Sequence, residues 1–232
     1  MYKFLFIDLD DTILDFKKSE HKAIRKTLRE AGIEPTDAVC ARYSAINKGY
    51  WERLERKEVT RAQLQVGRFA DLMAEYGIQG DAKACADRYM ENLSEGTDCI
   101  PGAVETLKRF YTDLRTQYKR YLVTNGNLET QVKRIQNSGL VRYFTEVYIS
   151  GAIGVDKPDK EFFRYCFTRI PDFDPKQAMI IGDSLTSDIL GGKNAGIATC
   201  WVNPDHKVAP PELQPDYEIE NITQLEALLE SL

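Results

Sequence analysis

Asp8, Asp10 and Asp11 fall within four positions, directly after the apolar run Phe4-Leu5-Phe6-Ile7, and the hydroxyl of Thr12 follows at once. Carboxylates crowded in this way repel one another and are tolerable together only around a cation or a shared proton. Three further segments carry polar groups of the same character: Thr124-Asn125-Gly126, Lys157 ahead of Pro158, and Gly182-Asp183-Ser184 with Asp188 shortly after. An oxygen-rich acidic set suits a hard ion such as Mg²⁺ better than a soft metal. A metal, one lysine, hydroxyls and backbone donors are what a phosphoryl group needs, because its chemistry is mostly positioning and charge neutralisation. One carboxylate can attack phosphorus. A second can protonate the leaving oxygen and then activate water.

These residues need elements that bring them to one place. The run from Phe4 to Ile7 reads as a strand buried on both faces. The spacing of Ala23, Ile24, Thr27, Leu28 and Ala31 predicts a helix that stops at Gly32, and further helices are expected over about 36–55, 60–77 and 81–93. Breakers from Ser94 to Gly102 mark a hinge. Beyond them, strands expected over about 120–124, 146–149, 178–181, 199–202 and 217–219 alternate with helical stretches. That alternation predicts an α/β fold with a Rossmann-like parallel sheet covered by helices. Residues 1–15 and 97–232 are expected to form this core, and residues 16–96 a helical subdomain inserted into it. Ligands of open α/β sheets bind beyond the carboxyl ends of the strands, so the polar segments are expected on one rim.

Composition narrows the function further. The chain has 232 residues, 43% hydrophobic and 29% charged, which fits a soluble globular protein, and a net charge of -5, which disfavours nucleic acid or an anionic membrane as partner. No apolar stretch is long enough to cross a bilayer, and Met1-Tyr2-Lys3 leads straight into a strand without signal-peptide layout, so a cytoplasmic location is expected. The five cysteines (Cys40, Cys85, Cys99, Cys166, Cys200) are scattered without CxxC spacing, as reduced thiols would be, and no zinc site is expected. His21 and His206 read as surface residues.

In order, Asp8-Leu9-Asp10-Asp11-Thr12, Thr124-Asn125-Gly126, Lys157-Pro158 and Gly182-Asp183 with Asp188 resemble the four motifs of the haloacid-dehalogenase-like (HAD) hydrolase superfamily. The helical insert is similar to that superfamily's C1-type cap. Ile46-Asn47 with Trp51, Asn127 after the second motif, Gly191 to Ile197 and Cys200 to Pro204 further resemble the YjjG/YfnB-type branch, the pyrimidine 5'-nucleotidases. The resemblance implies a Mg²⁺-dependent phosphatase for a small phosphorylated metabolite, a nucleoside 5'-monophosphate. It implies Asp8 as nucleophile and metal ligand, Asp10 as general acid and base with its carbonyl on the metal, and Asp183 and Asp188 as metal-site residues. Thr124 and the backbone amide of Asn125 would hold the phosphate, Lys157 would bridge it to Asp8, and Thr12 would fix the loop and the orientation of Asp10.

Each motif alone has a plainer reading: acidic residues after strands are often caps, Asn-Gly is an ordinary turn, and most lysines are solvated. Ser184 has no histidine positioned to activate it and reads as structural. Asp11 reads as a turn residue. Tyr43, Tyr50 and Trp51 are candidates for stacking on a base, against a plainer role as packing of the helical insert. Alternatives for the whole are a sugar-phosphate phosphatase, a phosphomutase, whose family usually has Gly in place of Asp11, a carbon–halogen hydrolase, which lacks the second acid supplied here by Asp10, or a receiver-like phospho-acceptor domain, which needs no inserted lid.

Overall fold

The computed structural model describes residues 2–114 and 117–232. The chain divides into two compact units, one of Met1–Asp15 with Thr97–Leu232 and the other of Phe16–Gly96.

The Phe16–Gly96 unit is helical: α1 (Phe16–Glu30), α2 (Asp37–Glu55), α3 (Arg61–Tyr76) and α4 (Ala82–Ser94). Its helix ends follow from local chemistry. Thr60 and Gln63 form a reciprocal capping box, Asp81 accepts from the Lys83 and Ala84 amides, and Gly77 closes α3 in the left-handed region at φ 64°. Ile24, Leu28, Tyr43, Phe69, Leu72 and Tyr89 pack its centre. Tyr43 lies with its ring centroid 5.0 Å from Phe69 and 5.3 Å from Tyr89, fully buried. The Tyr50 hydroxyl donates to Asp71, and Trp51 packs half-buried against a small cluster around Val59 and Leu64. These aromatics are core packing of the helical unit.

The second unit carries β1 (Phe4–Ile7), α5 (Ala103–Thr112), β2 (Lys119–Thr124), α6 (Leu128–Asn137), β3 (Glu146–Ile149), α7 (Ser150–Ile153), α8 (Lys160–Phe167), β4 (Ala178–Gly182), α9 (Leu190–Ala195), β5 (Ala198–Val202), β6 (Tyr217–Ile219) and α10 (Leu225–Glu230). The strands form a six-stranded sheet in the order β3-β2-β1-β4-β5-β6, parallel throughout. Side chains alternate across it with the strand period of two. Phe4, Phe6, Ala178 and Ile180 enter the core on one face, and Leu5, Ile7, Met179 and Ile181 the core on the other. Covering both faces is why β1 and β4 are uninterrupted apolar runs. The chain builds the sheet outward from β1 through β2 to β3, then returns to β4 and builds the other way. The crevice at that reversal, at the carboxyl ends of β1 and β4, is where such sheets place their ligands. No helix among the described residues is long and apolar enough to cross a membrane. All five cysteines are free thiols.

Candidate active site

The end of β1 is locked before it turns. The Asp8 amide donates to the Ile181 carbonyl at 2.9 Å, extending the pairing with β4 by one residue. The amides of Ile13 and Leu14 then both donate to the Leu9 carbonyl, and that of Asp11 donates to Leu14. This tight turn forces Asp11 to φ 55°, a conformation that Asp, Asn and Gly tolerate better than other residues. Asp11 is therefore a turn residue, and glycine suits the same position for the same reason.

Lys157 is the centre of the acidic group. Its ammonium is buried and donates to Asp8 Oδ1 at 2.6 Å, Asp188 Oδ1 at 2.7 Å and the Val123 carbonyl at 2.9 Å, which uses all three N–H bonds. Burial works against its charge, but the Asp188 and Asp8 carboxylates outweigh it and hold Lys157 protonated well above its ordinary range. Asn125 fixes the lysine from β2's end: its side-chain amide donates to the Lys157 carbonyl and its Oδ1 accepts from the Lys157 amide, both at 2.9 Å.

Asp188 is reached through an unusual turn. Leu185–Ile189 winds as a π-helical turn before α9, where the sequence suggests a plain helix. The wider turn lets Asp188 fold back, so that Oδ2 accepts from the Ser184 amide at 3.1 Å while Oδ1 takes Lys157. Ser184 caps the same turn by accepting from the Ser187 amide, a structural role. A Cβ on Gly182 would overlap the Asp188 carboxylate, which explains the glycine at the end of β4. Next to it, the Asp183 carbonyl accepts from the Trp201 indole at 2.8 Å, while its carboxylate has no hydrogen-bond partner among the described residues.

Oxygens of Asp8, Asp183 and Asp188 lie within 4.8 Å of one another. Loss of water around it, with the Asp188 and Asp10 charges, raises the Asp8 carboxyl far above the carboxylate range despite Lys157. Burial together with Asp8, Asp188 and Asp11 does the same to Asp183. One lysine thus does not neutralise three acids, and the remaining demand is for positive charge. A hard divalent cation held by carboxylate oxygens fits this donor set, and no histidine or cysteine contributes to it.

Asp10 has a different setting. Its side chain is 24% exposed, with Arg134 Nη1 at 2.6 Å from Oδ1. Gln131 Nε2 donates to Oδ2 at 2.9 Å and to the Thr124 hydroxyl at 2.7 Å, and Gln131 Oε1 accepts from Arg134 at 2.9 Å. Thr124 and Asn125 thus stand beside Asp10 and Lys157 respectively. The Thr12 hydroxyl is buried and makes no hydrogen bond among the described residues, so the side chains that contact the Asp10 carboxylate are Gln131 and Arg134 and not, as expected, Thr12. The motifs do not contain these two residues. Their signal was a polar pair three residues apart at the buried phase of α6, next to Ile135.

A parallel sheet in the order β3-β2-β1-β4-β5-β6 with this acid-and-lysine rim fits a hydrolase class that comparison with known proteins identifies. Residues 2–196 match the family of haloacid dehalogenase-like hydrolases. The chain belongs to that family. It is 41% identical to the HAD-hydrolase YfnB of Bacillus subtilis, covering 98% of this chain and 95% of YfnB. It is 37% identical to the pyrimidine 5'-nucleotidase PynA of Streptococcus pneumoniae, over 97% and 93% of the two chains. It is 30% identical to the pyrimidine 5'-nucleotidase YjjG of Escherichia coli, over 98% of each. A crystal structure of YfnB bound to magnesium, which reveals interdomain movement, superposes with a TM-score of 0.92 over 98% of each chain. The chain is thus an enzyme, and these relatives place it with the phosphatases of the superfamily.

Proposed function

We propose that this enzyme is a Mg²⁺-dependent phosphomonoester hydrolase that works through an aspartyl-phosphate on Asp8, with a nucleoside 5'-monophosphate of the pyrimidine type as substrate. The observation that carries the reading is the contrast between two acids one residue apart. Asp8 is buried against Lys157, and Asp10 is partly exposed and held by a separate pair of side chains. PynA and YjjG, both pyrimidine 5'-nucleotidases, support the substrate class.

Asp8 Oδ1 is held by Lys157, and Oδ2 has no protein partner among the described residues. In the proposal Oδ2 attacks phosphorus, the bond to the leaving oxygen breaks, and Asp10 delivers a proton to that oxygen. Asp10, now a carboxylate, takes a proton from the water that attacks the phosphoryl group. Inorganic phosphate leaves and Asp8 is regenerated. The Thr124 hydroxyl and the backbone amide of Asn125 hold phosphate oxygens, and Lys157 keeps Asp8 in line. Asp8, Asp183, the Asp10 carbonyl and, directly or through water, Asp188 would hold Mg²⁺, which would supply positive charge to neutralise the phosphate oxygens. The Phe16–Gly96 unit serves as the cap that selects the substrate.

The test is phosphate release from nucleoside monophosphates, sugar phosphates and p-nitrophenyl phosphate, with Mg²⁺ and after chelation. Wild-type turnover that needs Mg²⁺ and is absent in Asp8→Asn is expected. Uptake of a single phosphate without turnover contradicts the phosphatase, and preference for sugar phosphates contradicts the nucleotide substrate.

A further inference from the structure

Asp10 hangs from its backbone by two single bonds, and a proton donor that swings by 1 Å loses about a hundredfold in rate. Something must hold it. Arg134 is fully buried, so its charge needs a partner. It has Asp10 Oδ1 at 2.6 Å and Gln131 Oε1 at 2.9 Å. A guanidinium only donates, so the oxygen of the Gln131 amide must face Arg134. The NH₂ end is then turned toward Asp10 Oδ2 and the Thr124 hydroxyl, at 2.9 and 2.7 Å. Asp10 Oδ1 is ion-paired with Arg134 and Oδ2 accepts from Gln131, residues one helical turn apart on α6. Because Thr124 accepts from Gln131, its own proton is directed elsewhere. Gly126 belongs to the same device: a Cβ there would lie 2.7 Å from Gln131 Cγ and 3.0 Å from Cδ, so only glycine leaves the amide its place.

We propose that Gln131 and Arg134 are positioning residues that aim the Asp10 carboxyl at the leaving oxygen and couple that aim to Thr124. This inference rests on the phosphatase reading and adds to it the part that sets leaving-group dependence. An acid matters for an alkoxide leaving group and hardly at all for nitrophenolate, which departs unprotonated.

The experiment measures alcohol release in the first turnover, by rapid mixing, from a nucleoside 5'-monophosphate and from p-nitrophenyl phosphate. Gln131→Met and Arg134→Met are expected to slow release of the nucleoside by about 10- to 100-fold and of nitrophenol by less than about threefold, with KM nearly constant. Arg134→Lys, which keeps the charge and loses the fork, is expected to fall between. If Arg134→Met does not fold, Gln131→Met, which removes no charge, carries the same comparison. Equal slowing of both esters makes the pair merely structural and overturns the proposal. Wild-type rates in both variants, with Asp10→Asn still selective against the nucleotide, overturn the positioning role and leave the phosphatase standing. A wild-type protein that hydrolyses neither ester overturns both.

Discussion

Two chains of the same chemical make-up, acid, amide and arginine, run through the two units of this molecule. In the sheet unit Asp10, Gln131 and Arg134 form one; in the helical unit Glu20, Asn47 and Arg68 form the other. In the second, Asn47 donates to Glu20 Oε1 at 2.6 Å and accepts from Arg68 Nη1 at 2.8 Å, while Ser44 donates to Glu20 Oε2 at 2.6 Å. Arg68 also lies 4.6 Å from the centre of the Tyr89 ring. Glu20, Asn47 and Arg68 are all buried, and both Glu20 oxygens are bonded to side chains of their own unit. Asp10 differs in one respect: it is gripped from one side and open on the other. A buried polar network closed on itself fixes how helices pack, while one with an open acid is equipped to exchange a proton. The difference lies in whether the acid reaches solvent, which Asp10 does and Glu20 does not.

The sharpest way to break that comparison is to neutralise the open acid. Asp10→Asn is expected to lower turnover by about 10²- to 10⁴-fold, the usual contribution of a general acid. Stability is expected to fall by about 1–3 kcal/mol, because the Asn oxygen still faces the Arg134 guanidinium although the ion pair is lost. Turnover and urea midpoints measured on one preparation separate the two. A nearly active Asp10→Asn, or one that loses only stability, makes the two chains equivalent and removes the acid–base assignment.

How these sites looked from the sequence follows the same division. The parallel sheet was legible because two-sided burial writes itself as apolar runs such as Phe4–Ile7 and Ala178–Gly182. The acids, Thr124 and Lys157 were legible as candidates because strand ends carry them in short motifs. Gln131 and Arg134 were not, since a polar residue on a helix reads as solvent-facing until the neighbouring turn is known. The resemblance assigned the orientation of Asp10 to Thr12, whereas the side chains that contact the Asp10 carboxylate come from more than a hundred residues away. The π-helical turn at Leu185–Ile189 was also invisible, because its cause is Asp188 folding back on Ser184 and Lys157.

The closed chain is expected to fail the other way. Asn47→Leu removes both the donor to Glu20 and the acceptor from Arg68, leaving a buried acid and a buried guanidinium short of partners. A loss of about 3 kcal/mol is expected, read as a lower denaturant midpoint, with kcat per folded molecule within about twofold. A large fall in kcat at unchanged stability shows that the Glu20 chain also serves the reaction, and the contrast drawn between the two units disappears.

Ser44→Ala is the mildest probe of the same contrast. Ser44 is half-buried, so water can replace its hydroxyl at Glu20 Oε2, and Asn47 still holds Oε1. The expected cost is about 1 kcal/mol or less, the net worth of one hydrogen bond that solvent can restore. Gln131→Met removes the donor to Asp10 Oδ2 and to Thr124 and also the acceptor of the fully buried Arg134, so its stability cost is expected to be larger, about 1–3 kcal/mol. Leaving-group selectivity, which a loss of stability alone does not change, is the measurement that separates the two substitutions. Water replaces a missing hydrogen bond to Asp10 energetically, but it does not fix the direction of the carboxyl. Equal leaving-group selectivity in Ser44→Ala and Gln131→Met means that direction carries no catalytic weight in this enzyme.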